Sequence, residues 1–160
     1  MDELTFSVRK IADKLNKAGK TFATAESCTG GWIAKTVTDE SGISSVFVGG
    51  VVSYANEIKE KLLGVKKETL EKYGAVSEQT AREMARGCLI ATGADYSVAV
   101  TGIAGPAGGT PEKPVGLVYI CVSSADGREK IEKNVFDGDR EGVRLSTVKK
   151  ALKMLSDIIE

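Results

Sequence analysis

The 160-residue sequence predicts an α/β fold, a three-layer α/β/α sandwich built on a mixed, mostly parallel sheet. Three observations carry this reading. Apolar runs of strand length recur at Thr21 to Ala25, Val46 to Tyr54 and Tyr96 to Val100, with helical periodicity before and between them. Tyr96 to Val100 is nearly all apolar, as a central strand covered on both faces would be. Two late strand-like runs, Gly116 to Ser123 and Lys130 to Phe136, are joined at Ala125-Asp126-Gly127, a hairpin signal that adds an antiparallel pair.

The helices follow in chain order. From about Phe6 to Ala18, Val8, Ile11, Ala12 and Leu15 recur at helical spacing, and Gly19 is placed to end the helix. A second helix is expected from Gly31 to Asp39, broken at Ser41-Gly42. Asn56 to Leu63 and Glu68 to Tyr73 read as short helices ending at Gly64 and Gly74. Ser77 is positioned to cap a longer helix reaching about Ala91, with Met84, Ala85, Cys88 and Leu89 as its inner stripe. A last helix, about Asp139 to Ile159, carries Val143, Val148, Leu152, Leu155 and Ile159. In the second strand, Gly49-Gly50 suggests a bulge. No repeat, low-complexity segment or linker interrupts the chain, so residues 1–160 are expected to form a single domain.

Composition narrows the function classes. Twenty-two basic and 22 acidic residues cancel, which leaves no basic footprint for nucleic acid. The three cysteines, Cys28, Cys88 and Cys121, are far apart, and the chain has no histidine, so a metal site is not expected. Free thiols and the absence of a signal-like N-terminus point to the cytoplasm. No apolar run reaches the ~20 residues of a membrane span.

The most informative stretch is Thr24-Ala25-Glu26-Ser27-Cys28-Thr29-Gly30-Gly31-Trp32. Its order reads as strand, sharp turn and helix start, a junction that exposes a nucleophile above a sheet end and presents free backbone N–H groups. Ser27, Cys28 and Thr29 are all candidates, and helix capping by Ser27 or Thr29 is the plainer alternative. Without histidine, any base must be another group. Lys59 stands out among the lysines: with Asn56 as the cap it lies in the first turn of its helix, where the dipole disfavours an ammonium. It shares a face with Leu63, whereas Lys61 is turned away. Glu57 and Glu60 act in the opposite sense, and an ordinary surface lysine is the competing reading. Tyr54 closes a strand just before this helix. Thr101-Gly102-Ile103-Ala104-Gly105-Pro106-Ala107-Gly108-Gly109-Thr110 follows another strand and matches neither a Walker loop nor a dinucleotide fingerprint. Three strand-end loops rich in small and hydroxyl residues point to one shared pocket.

Five ordered motifs then carry a resemblance: Ala25-Glu26-Ser27-Cys28-Thr29-Gly30-Gly31; Tyr54-x-Asn56-x-x-Lys59 with Leu63-Gly64-Val65; Gly74-Ala75-Val76-Ser77; Thr101 to Gly109 with Lys113-Pro114-Val115-Gly116; and Gly138-Asp139-Arg140. Together they resemble the CinA C-terminal domain family from about residue 4 to residue 157. The resemblance implies a three-layer fold with a mixed sheet. Stand-alone members hydrolyse the carboxamide of nicotinamide mononucleotide to nicotinate mononucleotide and ammonia, in pyridine nucleotide salvage. By motif position the resemblance places the nucleophilic serine on Ser27, the catalytic lysine on Lys59, the active-site tyrosine on Tyr54 and a catalytic hydroxyl on Thr101. It also implies a substrate pocket formed by Cys28, Thr29, Gly30 and Gly31 with Gly102, Ala104, Gly105, Gly108 and Gly109. The expected partner is a small nucleotide substrate, with no cofactor, nucleic acid or membrane involved, in a homo-oligomer whose interface the sequence does not locate. A non-catalytic nucleotide-binding or regulatory module, and an amidase for another small carboxamide, remain as alternatives.

Overall fold

The computed structural model describes residues 1–160. Its elements are α1 (Glu3–Ala18), β1 (Phe22–Glu26), α2 (Trp32–Thr38), a 3-10 turn (Ile43–Ser45), β2 (Phe47–Val52), α3 (Asn56–Leu63), α4 (Lys67–Tyr73), α5 (Glu78–Thr92), β3 (Tyr96–Gly102), β4 (Leu117–Ser124), β5 (Glu129–Val135) and α6 (Arg140–Ile158). The five strands form one mixed sheet in the order β2-β1-β3-β4-β5. β2, β1 and β3 are mutually parallel, and β4 and β5 follow as an antiparallel pair, so four strands point one way. The Gly49-Gly50 signal marks a real irregularity: Phe22 pairs with Phe47 but Ala23 with Gly49, which leaves Val48 as the extra residue.

Alternation along β1 and β3 divides the interior into two unlike layers. Phe22, Val98 and Val100 face α1, α2 and α6, in a core with Ile11, Leu15, Ile33, Leu152 and Leu155. Ala23, Ala25 and Ala99 face the other way, toward Leu63, Met84, Ala85 and Cys88 of α3 and α5. Small strand residues on that side let α5 lie close to the sheet. Its inner stripe includes Ala81, Met84, Ala85 and Cys88, while the expected fourth member, Leu89, is only half-buried.

The helix ends follow their sequence signals with one exception. Asp2, Ser77 and Asp139 each cap a helix by accepting from the amide three residues on. Gly19, Gly64 and Gly93 close helices in the left-handed conformation. The exception is Asn56, which is the first helical residue of α3 rather than its cap; Ala55 holds the capping position without a side-chain bond. Lys59 nevertheless falls in the first turn, because its amide donates to Ala55 O at 3.1 Å. No helix is long and apolar enough to cross a membrane.

Going from β1 to β2 the chain moves one way across the sheet, and from β2 to β3 it returns past β1. The crossover helices accordingly lie on opposite faces, as right-handed connections require. A reversal of this kind opens a crevice at the carboxyl ends of the strands. Residues just beyond β2, β1 and β3 therefore meet at one edge of the sheet.

Gly87 sets how closely α3 can approach α5. A Cβ there would lie 1.7 Å from the Leu63 carbonyl oxygen, so the helices touch backbone to backbone. Gly87→Ala must push α3 outward, and it is expected to lower stability by ~1–3 kcal/mol, as overpacking of a tight interior site does. Chemical denaturation checks this; an unchanged midpoint would show that α3 yields freely.

Candidate active site

Alternation also assigns the two residues at the end of β1 to opposite faces. Glu26 continues the Phe22-Thr24 side toward α2, whereas Ser27 faces α3. The ladder extends past the strand ends: Ser27 N–H donates to Val100 O at 3.1 Å and Ser53 N–H to Glu26 O at 2.8 Å. Ser27, Ser53 and Thr101 thus sit side by side above the sheet edge, under the first turn of α3.

Lys59 enters this space from α3 and is only 1% exposed. Its Nζ lies 3.0 Å from Ser27 Oγ, 2.8 Å from Ser53 O and 3.0 Å from Tyr54 O. No carboxylate is salt-bridged to it. Removal from water penalises the charged form and holds the amine below the ordinary lysine range, the charge of a Cys28 thiolate acting in the opposite sense. The two carbonyls can only accept, so they take N–H groups from Lys59 in any protonation state. A neutral amine then has its lone pair left for the third neighbour, Ser27 Oγ. Ser27 is 8% exposed. Cys28 sits beside it, and burial pushes its thiol up to about 11, which keeps it protonated and weakly nucleophilic near neutral pH.

A cleft of about 280 Å³ opens over this pair. Of the residues singled out in the sequence, Ser27, Cys28, Tyr54, Lys59, Thr101, Gly102, Ala104, Gly105 and Gly108 line it. Thr29, Gly30, Gly31 and Gly109 do not. Gly30 and Gly31 form the turn behind Ser27. Thr29 is fully buried, with its hydroxyl donating to Glu26 at 2.6 Å. Tyr54 is 62% exposed; its main-chain carbonyl accepts from Lys59 while its phenol accepts from Arg140 at 3.3 Å. Thr101 donates to Ala75 O at 2.8 Å and so ties the segment before α5 to the floor of the cleft.

Chain amides without protein acceptors surround the cleft. Those of Cys28 and Thr29 are free at the turn after β1, as are those of Ala104, Gly105, Ala107 and Gly108 in the loop after β3. Gly105 has φ 82°, and a Cβ on it would come within 2.5 Å of Val115. The loop is therefore drawn against the chain leading into β4, with its backbone forming the wall of the cleft.

Two arginines of α6 complete the surroundings, and neither was among the site residues expected from the sequence. Arg140 bonds Gly105 O at 2.8 Å and reaches Tyr54, closing one side of the cleft. Arg144 donates to Cys28 O at 3.1 Å and Thr29 O at 2.9 Å from beneath the turn. The Gly138-Asp139-Arg140 motif was the available signal, but only folding brings it to residues more than 80 positions earlier. No group of histidine, cysteine or carboxylate side chains is clustered to hold a metal ion.

Comparison with known proteins agrees with this architecture. The CinA C-terminal domain model matches residues 5–159. A CinA-like protein of Kosmotoga olearia is 52% identical over 134 residues, 84% of this chain but 32% of its own length. The chain likewise spans 35% of the CinA-like protein of Syntrophomonas wolfei. The nicotinamide-nucleotide amidohydrolase PncC of Escherichia coli K12 is 46% identical over 153 residues, covering 96% of this chain and 93% of that protein. Among solved structures, the competence/damage inducible protein CihA of Agrobacterium tumefaciens superposes with a TM-score of 0.97 at 43% identity, over 100% of this chain and 98% of that one. A CinA superfamily protein of Klebsiella pneumoniae gives 0.93 at 33% identity. A family model matched over residues 5–159 and 46% identity over nearly the full length of both chains place this chain in the CinA C-terminal domain family.

Proposed function

We propose that this protein is a serine amidohydrolase that removes the carboxamide nitrogen of nicotinamide mononucleotide, giving nicotinate mononucleotide and ammonia. The observation that carries the reading is the buried Lys59 amine, 3.0 Å from Ser27 Oγ and anchored by two main-chain carbonyls. Support for the substrate comes from the likeness to the E. coli amidohydrolase, which extends over nearly the full length of both chains.

The chemistry follows from the donors and acceptors in place. Neutral Lys59 takes the proton of Ser27 Oγ as that oxygen attacks the carboxamide carbon. The oxyanion formed is met by the free amides of Cys28 and Thr29; one such donor is worth ~3–4 kcal/mol to the transition state. Collapse breaks the C–N bond, the Lys59 ammonium returns its proton to the departing nitrogen, and ammonia leaves an ester on Ser27. Lys59, neutral again, deprotonates a water that attacks this ester. Ser27 departs with the proton, and the nicotinate carboxylate is released. Tyr54 contributes its carbonyl to the lysine and its ring to the mouth of the cleft, and Thr101 shapes the floor. Arg140 and the free amides of the 104–108 loop offer the cationic and N–H-rich lining that a ribose phosphate requires.

Ser27→Ala is expected to abolish ammonia release with the fold intact, and Lys59→Arg, permanently charged, to do the same. Normal turnover by either variant rejects the mechanism. Because only neutral Lys59 can act as base and burial lowers its pKa, activity should rise with pH along one ionisation that ends below the ordinary lysine value of ~10.4. A rate that is flat or falls through that range contradicts the role. Arg140→Gln should raise KM about tenfold or more while leaving kcat less affected, as loss of a ground-state contact does. Steady-state kinetics with nicotinamide mononucleotide beside nicotinamide riboside measures this, the riboside being insensitive to the substitution. A non-catalytic nucleotide-binding module, the alternative of a different kind, would bind the mononucleotide without releasing ammonia.

A further inference from the structure

Glu26 is 1% exposed and is salt-bridged to no cation, although it precedes the nucleophile directly. A buried carboxylate in that position loses its hydration and must recover it through hydrogen bonds. Three are present, all from the segment that follows: Thr29 Oγ1 at 2.6 Å, Ile33 N–H at 2.7 Å and Ala34 N–H at 3.0 Å. A neutral capping residue would satisfy α2, which is only seven residues long. A charge buried at this cost therefore does more than cap a helix. It also occupies the amides of Ile33 and Ala34, so the helix start does not serve as an anion site for substrate.

Arg144 holds the same turn through its carbonyls. Its guanidinium forks across two successive carbonyls, Cys28 O at 3.1 Å and Thr29 O at 2.9 Å, and its carbon lies 5.3 Å from the Trp32 ring centroid. Because the peptide unit is planar and trans, fixing Cys28 O also fixes the direction of the Thr29 N–H. We infer that Glu26 and Arg144 together clamp the turn Ser27–Gly31, one taking the Thr29 hydroxyl and the first amides of α2 and the other the Cys28 and Thr29 carbonyls, and that both are positioning residues for Ser27. Alternation along the chain makes the clamp effective: Glu26 grips the α2 side, and Ser27, one peptide away, faces Lys59. The clamp leaves the lysine's own anchors, Ser53 O and Tyr54 O, untouched.

This inference rests on Ser27 being the nucleophile of the proposed reaction, so its test uses two readouts. One is steady-state ammonia release from nicotinamide mononucleotide. The other is the rate at which a fluorophosphonate labels Ser27, where Oγ displaces fluoride from phosphorus and the proton passes to Lys59. Thr29→Val removes the side-chain donor to Glu26 at nearly constant volume, and Arg144→Lys replaces the fork with a point charge. Each should lower kcat about tenfold to a hundredfold, the range expected for a misplaced reacting group, with KM within about twofold. The labelling rate should fall by a similar factor, and the rising pH limb should stay in place. Thr29→Ser should restore both rates. Glu26→Gln should be at least as severe, and if it does not fold, Thr29→Val still decides.

A rise in KM at constant kcat for Arg144→Lys would make Arg144 a substrate-binding residue and overturn the clamp. Unchanged labelling rates in variants that merely melt earlier would do the same. Wild-type protein that is labelled at Ser27 yet releases no ammonia refutes the substrate, while the labelling comparison still tests the clamp. Failure of the wild type to be labelled at all removes its premise.

Discussion

The site depends on a primary amine deprived of water. Lys59 is enclosed by α3, the end of β2 and the turn after β1, and the groups around it are two carbonyls and a hydroxyl rather than a carboxylate. A carboxylate in their place would hold the amine as an ammonium. Two carbonyls satisfy the N–H groups without fixing the charge. That choice, in a protein lacking histidine, is what the proposed use of Lys59 as the base for Ser27 requires.

The rest of the fold brings this triangle together. Parallel pairing of β2, β1 and β3 makes their carboxyl ends level, so Ser53, Ser27 and Thr101 meet without any long loop. Alternation sends Glu26 to one face and Ser27 to the other, separating the residue that organises the turn from the one exposed by it. The alanine-rich layer under α5 and the glycine at position 87 let α3 lie low enough for its first turn to reach Ser27. α6, the last element, then braces both loops through Arg140 and Arg144. Stability and site geometry are linked through these same contacts.

Much of this was legible in the sequence because periodic burial is a local property. The strands, the hairpin and the helices followed from spacing, and Lys59 stood out because it lies four positions before Leu63, on the same helix face. What escaped was non-local or carried by backbone. Ser53 O and Tyr54 O leave no side-chain signature, so the lysine's anchors were invisible and Tyr54 drew attention for its phenol instead. Asn56 has the chemistry of a cap, yet the chain enters α3 one residue earlier, at Ala55. Thr29 looked like a pocket residue by its position, but its hydroxyl turns inward to donate to Glu26. Arg140 was flagged only as part of the Gly138-Asp139-Arg140 motif and Arg144 by no local feature, and only the packing of α6 against the loops after β1 and β3 reveals what they bond.

The charge state of Lys59 can be followed directly, without substrate. Protein prepared with 13C at lysine Cε gives a resolved resonance for each lysine, and substitution of Lys59 identifies its signal. Following the shifts with pH, we expect Lys59 to lose its proton well before the exposed lysines, with a midpoint displaced to lower pH by burial. A Lys59 that titrates together with the exposed lysines, or after them, would contradict the claim that this fold keeps a neutral amine next to Ser27.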